Sequence, residues 1–379
     1  MANISGTSRR VAAVWLVVLM VATALVFTAT AASSESRPVR VMTRNLYLGA
    51  DLTPALQAQN PVEAGLAAAQ IYATVQATNF PERAKSLAYE VLEADPDVIG
   101  LQEVALWRTG PPDQFLSPEF QTPAEDVAFD FLENLLNELN ALGLDYEAAV
   151  VQKEADIEAT ALDPSIGPFL DIRLTQRDVI LVRADAPTEV AWSKAAKANF
   201  LPEHQLVLET VLGPIEVTRG WTSLDVVVNK RAFRFVNTHL EAFDLCVFDQ
   251  EQECLLRLAQ TSEILAGPAA TELPVILVGD LNSGPHDEFF ADSWDFLVGG
   301  RLFDDAWVMA NGDAPGFTCC QAEDLLNPAS QLGERIDHIL TSRGMAVDKA
   351  KIVGNDQDNR TPSGMWPSDH SGMVAALAP

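Results

Sequence analysis

Apolar, strand-like runs that end in single polar residues recur along this chain. Asn45 closes VRVMTRN, Glu103 closes PDVIGLQE, and His239 closes FRFVNTH. Asp280 and Asn282 follow LPVILVG, Asp337 lies in RIDHIL, and the Asp369–His370 pair precedes GMVAAL. A strand run stops at a sheet edge, so polar residues placed there from distant segments can converge on one site. A site fed from positions 45 to 370 calls for one large domain, although 379 residues would allow two.

The segments between these runs predict the covering layers. Residues 39–45 read as a strand. Pro61 suits the start of an alanine-rich helix over 64–77. Pro81 opens a second helix, with Ala84, Leu87, Ala88, Val91 and Leu92 as one buried stripe. Residues 98–104 form a strand, and 107–122 read as loop because of Gly110-Pro111-Pro112. A helix is expected over 124–142, with Val127, Phe131, Leu135 and Leu139 on one face. Strands follow at 179–183, 275–279, 336–341 and 373–377, with a helix over 253–266. Residues 215–228 and 232–239 read as a hairpin around Asn229-Lys230. Strands thus alternate with helices, and hairpins interrupt them. That predicts an α/β fold of mixed sheets, with two sheets packed together and helices outside.

The residue types at the strand ends fit metal and phosphate chemistry. A carboxylate such as Glu103 at the end of a buried strand is costly unless it is paired or metal-bound. Hard oxygen ligands of this kind suit magnesium or calcium. Asn45 offers a carbonyl ligand, or it caps a turn. Asp280 and Asn282 are two apart, so in extended chain they share a face. Asp280 is placed to meet a metal, a water or an imidazole, and Asn282 to donate to a phosphate oxygen. His239 suits donation to a phosphate or leaving group. Asp337 needs a partner, either an imidazole whose tautomer it would fix or the neighbouring Arg335. His338 should face away from it. No G-x-S-x-G, Walker loop or G-x-G-x-x-G occurs in the chain.

Arg9 and Arg10, the apolar run 11–27 and Ala29-Thr30-Ala31 have the order of a secretory signal peptide. The run is short for a bilayer span of about 20 residues. The expected division is a signal peptide at 1–31 and a catalytic domain at 32–379, secreted or held in the cell envelope. Ser8-Arg9-Arg10 also hints at twin-arginine export. Removing the two arginines takes the formal charge from −28 to −30. So acidic a surface disfavours tight nucleic-acid binding, although a bound metal supplies local positive charge. The cysteines are Cys246, Cys254, Cys319 and Cys320. Export suggests two disulfides. Three pairings are open, and Cys246–Cys254 with Cys319–Cys320 is the expected one.

In this order the motifs resemble the endonuclease/exonuclease/phosphatase superfamily. Its members include secreted nucleases of the DNase I type, apurinic endonucleases, neutral sphingomyelinases and inositol-polyphosphate 5-phosphatases. The resemblance runs over roughly 38–379 and rests on the ordered set N…LQE…NTHLE…GDLNS…RIDHIL…SDH. It implies a DNase I-like four-layer α/β sandwich. It also implies a divalent metal at Asn45 and Glu103 with Asp369 close by, magnesium first, with manganese or calcium as substitutes. His239 would contact the scissile phosphate. Asp280 and Asn282 would orient water and phosphate, and Asp337 would hydrogen-bond His370.

The long segments 46–80, 107–122 and 156–175 stand out as determinants of substrate. The expected activity is hydrolysis of a phosphodiester, with a phospholipid headgroup as one substrate. A secreted nuclease is the alternative, and a non-catalytic binding protein on the same scaffold is the third reading. Trp107, Phe115 and Phe120 are candidates for peripheral contact with membrane lipid. Oligomeric state has no signature in the sequence.

Overall fold

The computed structural model describes residues 37–112, 123–164, 167–185, 190–242, 255–285 and 292–379. The proposed signal peptide, the Cys246–Cys254 pair, His286, Phe115 and Phe120 lie outside them. The strands of the first half are β1 (Val39–Asn45), β2 (Val98–Gln102), β3 (Leu106–Gly110), β4 (Asp126–Asp130), β5 (Tyr146–Asp163) and β6 (Gly167–Arg183). Next come β7 (Val190–Asn199), β8 (Leu206–Thr210), β9 (Gly213–Val217), β10 (Gly220–Val228) and β11 (Arg231–His239). The chain closes with β12 (Val275–Asp280), β13 (Phe303–Asp305), β14 (Asp337–Ser342), β15 (Ala346–Val353) and β16 (Gly372–Ala378). The main helices are α1 (Thr53–Leu56), α2 (Pro61–Ala77), α3 (Phe80–Ala94), α4 (Phe131–Ala141), α5 (Leu255–Ala266) and α6 (Ala306–Asn311).

Two mixed sheets carry the fold. The eight-stranded sheet runs β15-β16-β1-β2-β6-β3-β4, with β5 also paired to β6. The six-stranded sheet runs β13-β14-β12-β11-β10-β7. Within each, one parallel pair lies at the centre: β1 with β2, and β11 with β12. Side-chain alternation divides each strand between two cores. Val41 and Val98 face Val226, Phe235, Ile276 and Val278 between the sheets. Their neighbours Met42 and Ile99 face Leu87 and Val91 of α3 and Leu135 of α4. On the other side, Leu277 and Val236 pack with Ile264 of α5. Continuous apolar runs are therefore needed because both faces are buried. Each fully buried aliphatic side chain contributes about 1.5–3 kcal/mol of transfer free energy. The result is helices, sheet, sheet and helix, which is the expected four-layer order.

Several local expectations need correction. Leu106–Gly110 is a strand between β4 and β6, not loop. The helix expected from residue 124 starts only at Phe131, where the Asp130 carboxylate accepts from Leu132 N at 3.0 Å and Glu133 N at 3.3 Å. Val127 therefore lies in a strand and is exposed. Leu92 is also exposed, outside the buried stripe of Ala84, Leu87, Ala88 and Val91. Most of the long segment 156–175 belongs to the β5–β6 ribbon. Residues 215–228 break into two strands at Thr218-Arg219. Strands β7 and β15 carry no apolar run long enough to announce them. Trp107 is buried and donates to Leu48 O at 2.9 Å. Among the described residues no helix is long and apolar enough to cross a membrane.

Two glycines let the backbones approach. A Cβ on Gly100 would stand 2.5 Å from Asn237 Oδ1, which instead accepts from Gln102 Nε2 at 2.6 Å across the sheets. Gly279, just before Asp280, takes φ +145°, and a Cβ there would stand 1.9 Å from Thr238 O. Gly279→Ala is expected to destabilise the fold by about 1–3 kcal/mol through backbone strain alone. A urea midpoint equal to wild type would refute this.

Candidate active site

The strand ends meet at one edge. Strands β1 and β2 are parallel and in register, so Asn45 stands opposite Gln102, with Glu103 next. Parallel register likewise sets His239 of β11 beside Asp280 of β12. Strand β14 runs antiparallel and begins at Asp337, opposite Asp280. Strand β16 begins just after Asp369 and His370. The two sheets present this edge side by side, and Asn45 Nδ2 of one donates to Asp280 Oδ2 of the other at 3.1 Å.

Every residue expected in the site is brought to this edge: Glu103, His239, Asp280, Asn282, Asp369 and His370 line a common cavity of about 420 Å³, and Asn45 and Asp337 bond to Asp280 and His370 from behind it. His370 Nδ1 bonds Asp337 Oδ2 at 2.8 Å and lies 3.8 Å from Asp280 Oδ2. Arg335, the alternative partner of Asp337, pairs instead with Asp305. His338 turns the other way, with Nε2 2.9 Å from Ser283 O. His239 Nε2 stands 3.5 Å from Asp280 Oδ2.

Asn282 departs from the extended geometry expected of it. Its φ is +46°, its N–H donates to Asp280 Oδ1 at 2.9 Å, and its Nδ2 donates to Leu240 O at 3.0 Å. The strand ends at Asp280, and a tight Asx turn then aims Asn282 by hydrogen bonds instead of by strand alternation.

Residues without a sequence signature complete the site. Arg219 Nη1 lies 3.0 Å and Gln176 Nε2 3.3 Å from His239 Nδ1. Two donors there make Nδ1 the acceptor and leave the proton on Nε2. Burial, the Arg219 charge and His370 hold His239 well below the usual histidine range. It is therefore a neutral hydrogen-bond donor. His370 is the opposite case. Burial would lower it, but Asp337, Asp369 and Asp280 outweigh that and hold it well above the usual range. Burial, with Asp337 adding and His370 opposing, pushes the Asp280 carboxyl up to about 7. Burial pushes Asp369 up to about 6, with His370 opposing and Glu103 adding.

Two buried arginines position the loops that carry these groups. Arg44 forms a two-point ion pair with Glu90 at 2.9 and 3.0 Å and donates to His370 O at 2.5 Å. Arg83 donates to Thr78 O, Leu46 O and Pro367 O at 2.8, 2.7 and 3.0 Å. The fork geometry of the guanidinium suits several carbonyls at once, which an ammonium would not match.

The donor set fits a divalent cation. Glu103 and Asp369 repel each other at the cavity wall, and oxygen ligands of this kind favour a hard cation. Glu103 Oε2 is taken by Leu48 N at 2.7 Å, which leaves Oε1. Asn45 Oδ1 accepts from Tyr47 N at 2.9 Å and keeps a second lone pair. A tighter cluster of ligand atoms, within 4.8 Å, consists of Asp280, Asp337 and His370. There, however, His370 Nδ1 is committed to Asp337, so the cluster reads as a hydrogen-bonded relay. Cys319 and Cys320 also approach His370, but their sulfurs are joined to each other in a disulfide.

Imidazole paired with aspartate, amide paired with aspartate, and an acidic cavity wall thus meet where two sheets end. Residues 211–370 match the Endonuclease/Exonuclease/phosphatase family. The family read from the strand-end motifs is the family matched. No curated protein matches the chain by sequence. Solved structures share the fold. A mannosyl-6-phosphatase from Bacteroides thetaiotaomicron is 17% identical with a TM-score of 0.51, covering 90% of this chain and 99% of that one. An endonuclease/exonuclease/phosphatase family protein from the same organism is 16% identical with a TM-score of 0.53, covering 89% and 97%. Another from Leptotrichia buccalis is 14% identical with a TM-score of 0.51, covering 90% and 99%. At such identities the shared property is the fold.

Proposed function

We propose that the chain is an exported, magnesium-dependent phosphoesterase that hydrolyses a phosphodiester. The observation that carries this reading is the pair of histidines on either side of Asp280, one held at Nδ1 by Arg219 and Gln176 and the other by Asp337. Neutral His239 can donate from Nε2 to a phosphate oxygen. His370, charged and oriented by Asp337, keeps Nε2 for a proton exchanged with water or the leaving group. Asn282 supports a phosphate oxygen without adding negative charge. Glu103, Asn45 and Asp369 would hold the cation, which when bound supplies positive charge to the phosphate.

The test is release of nitrophenolate from bis-p-nitrophenyl phosphate with magnesium and after chelation by EDTA. Turnover is expected only with metal, and failure to cleave any phosphate ester would end this reading. Glu103→Gln should raise the magnesium needed for half-maximal activity, with turnover retained at saturation. An unchanged magnesium titration would remove Glu103 from the metal set. A nuclease remains the second reading. The charge of −28 speaks against it, and plasmid nicking run in parallel separates the two.

A further inference from the structure

A second cavity of about 440 Å³ adjoins the catalytic one, within the size range of organic ligand pockets. The two cavities share Leu52, Leu56, Ile157 and Leu174 in their walls, so they adjoin. The second is built from segments that the catalytic residues do not need. Ala64, Ala68 and Ile71 of α2 form one wall, and Leu212 and Ile215 of the β8–β9 hairpin form another. Its charged residues are Glu154, Asp156, Glu158 and Glu216, and no lysine, arginine or histidine lines it among the described residues. Asp156 is tied to Arg173 at 2.7 and 2.8 Å, which makes that wall an internal ion pair. Glu154 is buried, its Oε1 has no hydrogen-bond partner, and burial with Asp178 alongside holds it well above the usual carboxylate range.

We infer that this pocket receives an uncharged alkyl chain esterified to the scissile phosphate, so the substrate class is an alkyl phosphodiester. The inference rests on the phosphoesterase reading above. Three observations combine. The pocket adjoins the phosphate site, so its occupant is the group attached to that phosphate. Its walls are mainly aliphatic, so the occupant gains by leaving water. No cationic side chain lines it among the described residues, so a second phosphate finds no partner there. The last point separates this substrate from a nucleic-acid strand, in which every ester group leads to another anion. Small side chains at Ala64 and Ala68 leave the room that the chain occupies.

The experiment compares methyl, butyl and hexyl p-nitrophenyl phosphodiesters, each as monomers in solution. From methyl to hexyl, kcat/KM is expected to rise at least about tenfold, since each methylene buried in an apolar site is worth up to roughly fourfold. Ala68→Trp, which fills the pocket, should flatten that rise while leaving methyl ester turnover unchanged. Leu212→Glu is the second variant, at a rim position that is 54% exposed and safe for folding, and it should act the same way. Calorimetric binding of hexyl against methyl phosphate gives a readout without turnover. Equal kcat/KM across the wild-type series, with the methyl ester cleaved, overturns the inference and spares the phosphoesterase reading. Chain-dependent binding that both variants abolish, with no ester cleaved, keeps the pocket and overturns that reading.

Discussion

Replacing His370 with alanine is expected to lower turnover of bis-p-nitrophenyl phosphate by about 10²–10⁴-fold, the range for loss of a positioned acid or base. The imidazole is held by Asp337 at 2.8 Å, and three carboxylates keep it charged. The magnesium titration midpoint should stay within about twofold, because the proposed ligands are carboxylate and amide oxygens. Asp337→Asn should reproduce much of the loss with the ring still present, since an amide no longer stabilises the ring's positive charge. Near wild-type activity in His370→Ala would force the strand-end residues to be read as structural.

The largest stability loss is expected at Asp305, outside the catalytic cavity. Its Oδ2 accepts from Arg335 Nη1 at 2.5 Å and from Trp294 Nε1 at 3.0 Å. Its Oδ1 caps α6 through Trp307 N at 2.8 Å. Both members of the ion pair are almost fully buried. Burial alone would raise this carboxyl, but His338 and Arg335 hold it far below the usual aspartate range. A depressed carboxyl stabilises the fold at every pH above the ordinary aspartate value, and the contribution fades only in strong acid. Asp305→Ala leaves Arg335 buried without its partner and should cost about 3–5 kcal/mol in urea unfolding at neutral pH. Asp313→Ala, at an exposed position, should change it by less than about 0.5 kcal/mol. Equal midpoints for the two variants would refute the argument.

The central strands were legible because burial on both faces demands unbroken apolar runs, as in 275–279 and 98–101. The site was legible for the same reason, since a polar residue that ends such a run stands out. The β5–β6 ribbon was not, because its half-exposed strand EADIEATALD mixes acids, alanines and isoleucine in no single period. The start of α4 had a signature that was passed over: Asp130, with Glu133 three residues on, has the spacing of a capping box. Arg219 and Gln176 had none. Their contact with His239 depends on the register of three strands and on a break at Thr218-Arg219 that composition does not mark.

The bonds from Asn45 to Asp280 and from Gln102 to Asn237 join two sheets whose interface is otherwise mainly apolar. The rate of the proposed phosphoesterase is therefore a ruler laid across the sandwich. A shift of about 1 Å between catalytic groups is enough to cost on the order of 10²-fold in rate, while the same shift within an apolar interface alters few contacts. Random mutagenesis read by melting temperature alone would pass many variants whose layers have slid. A screen for turnover would reject them, and the positions it rejects would trace the inter-sheet seam residue by residue.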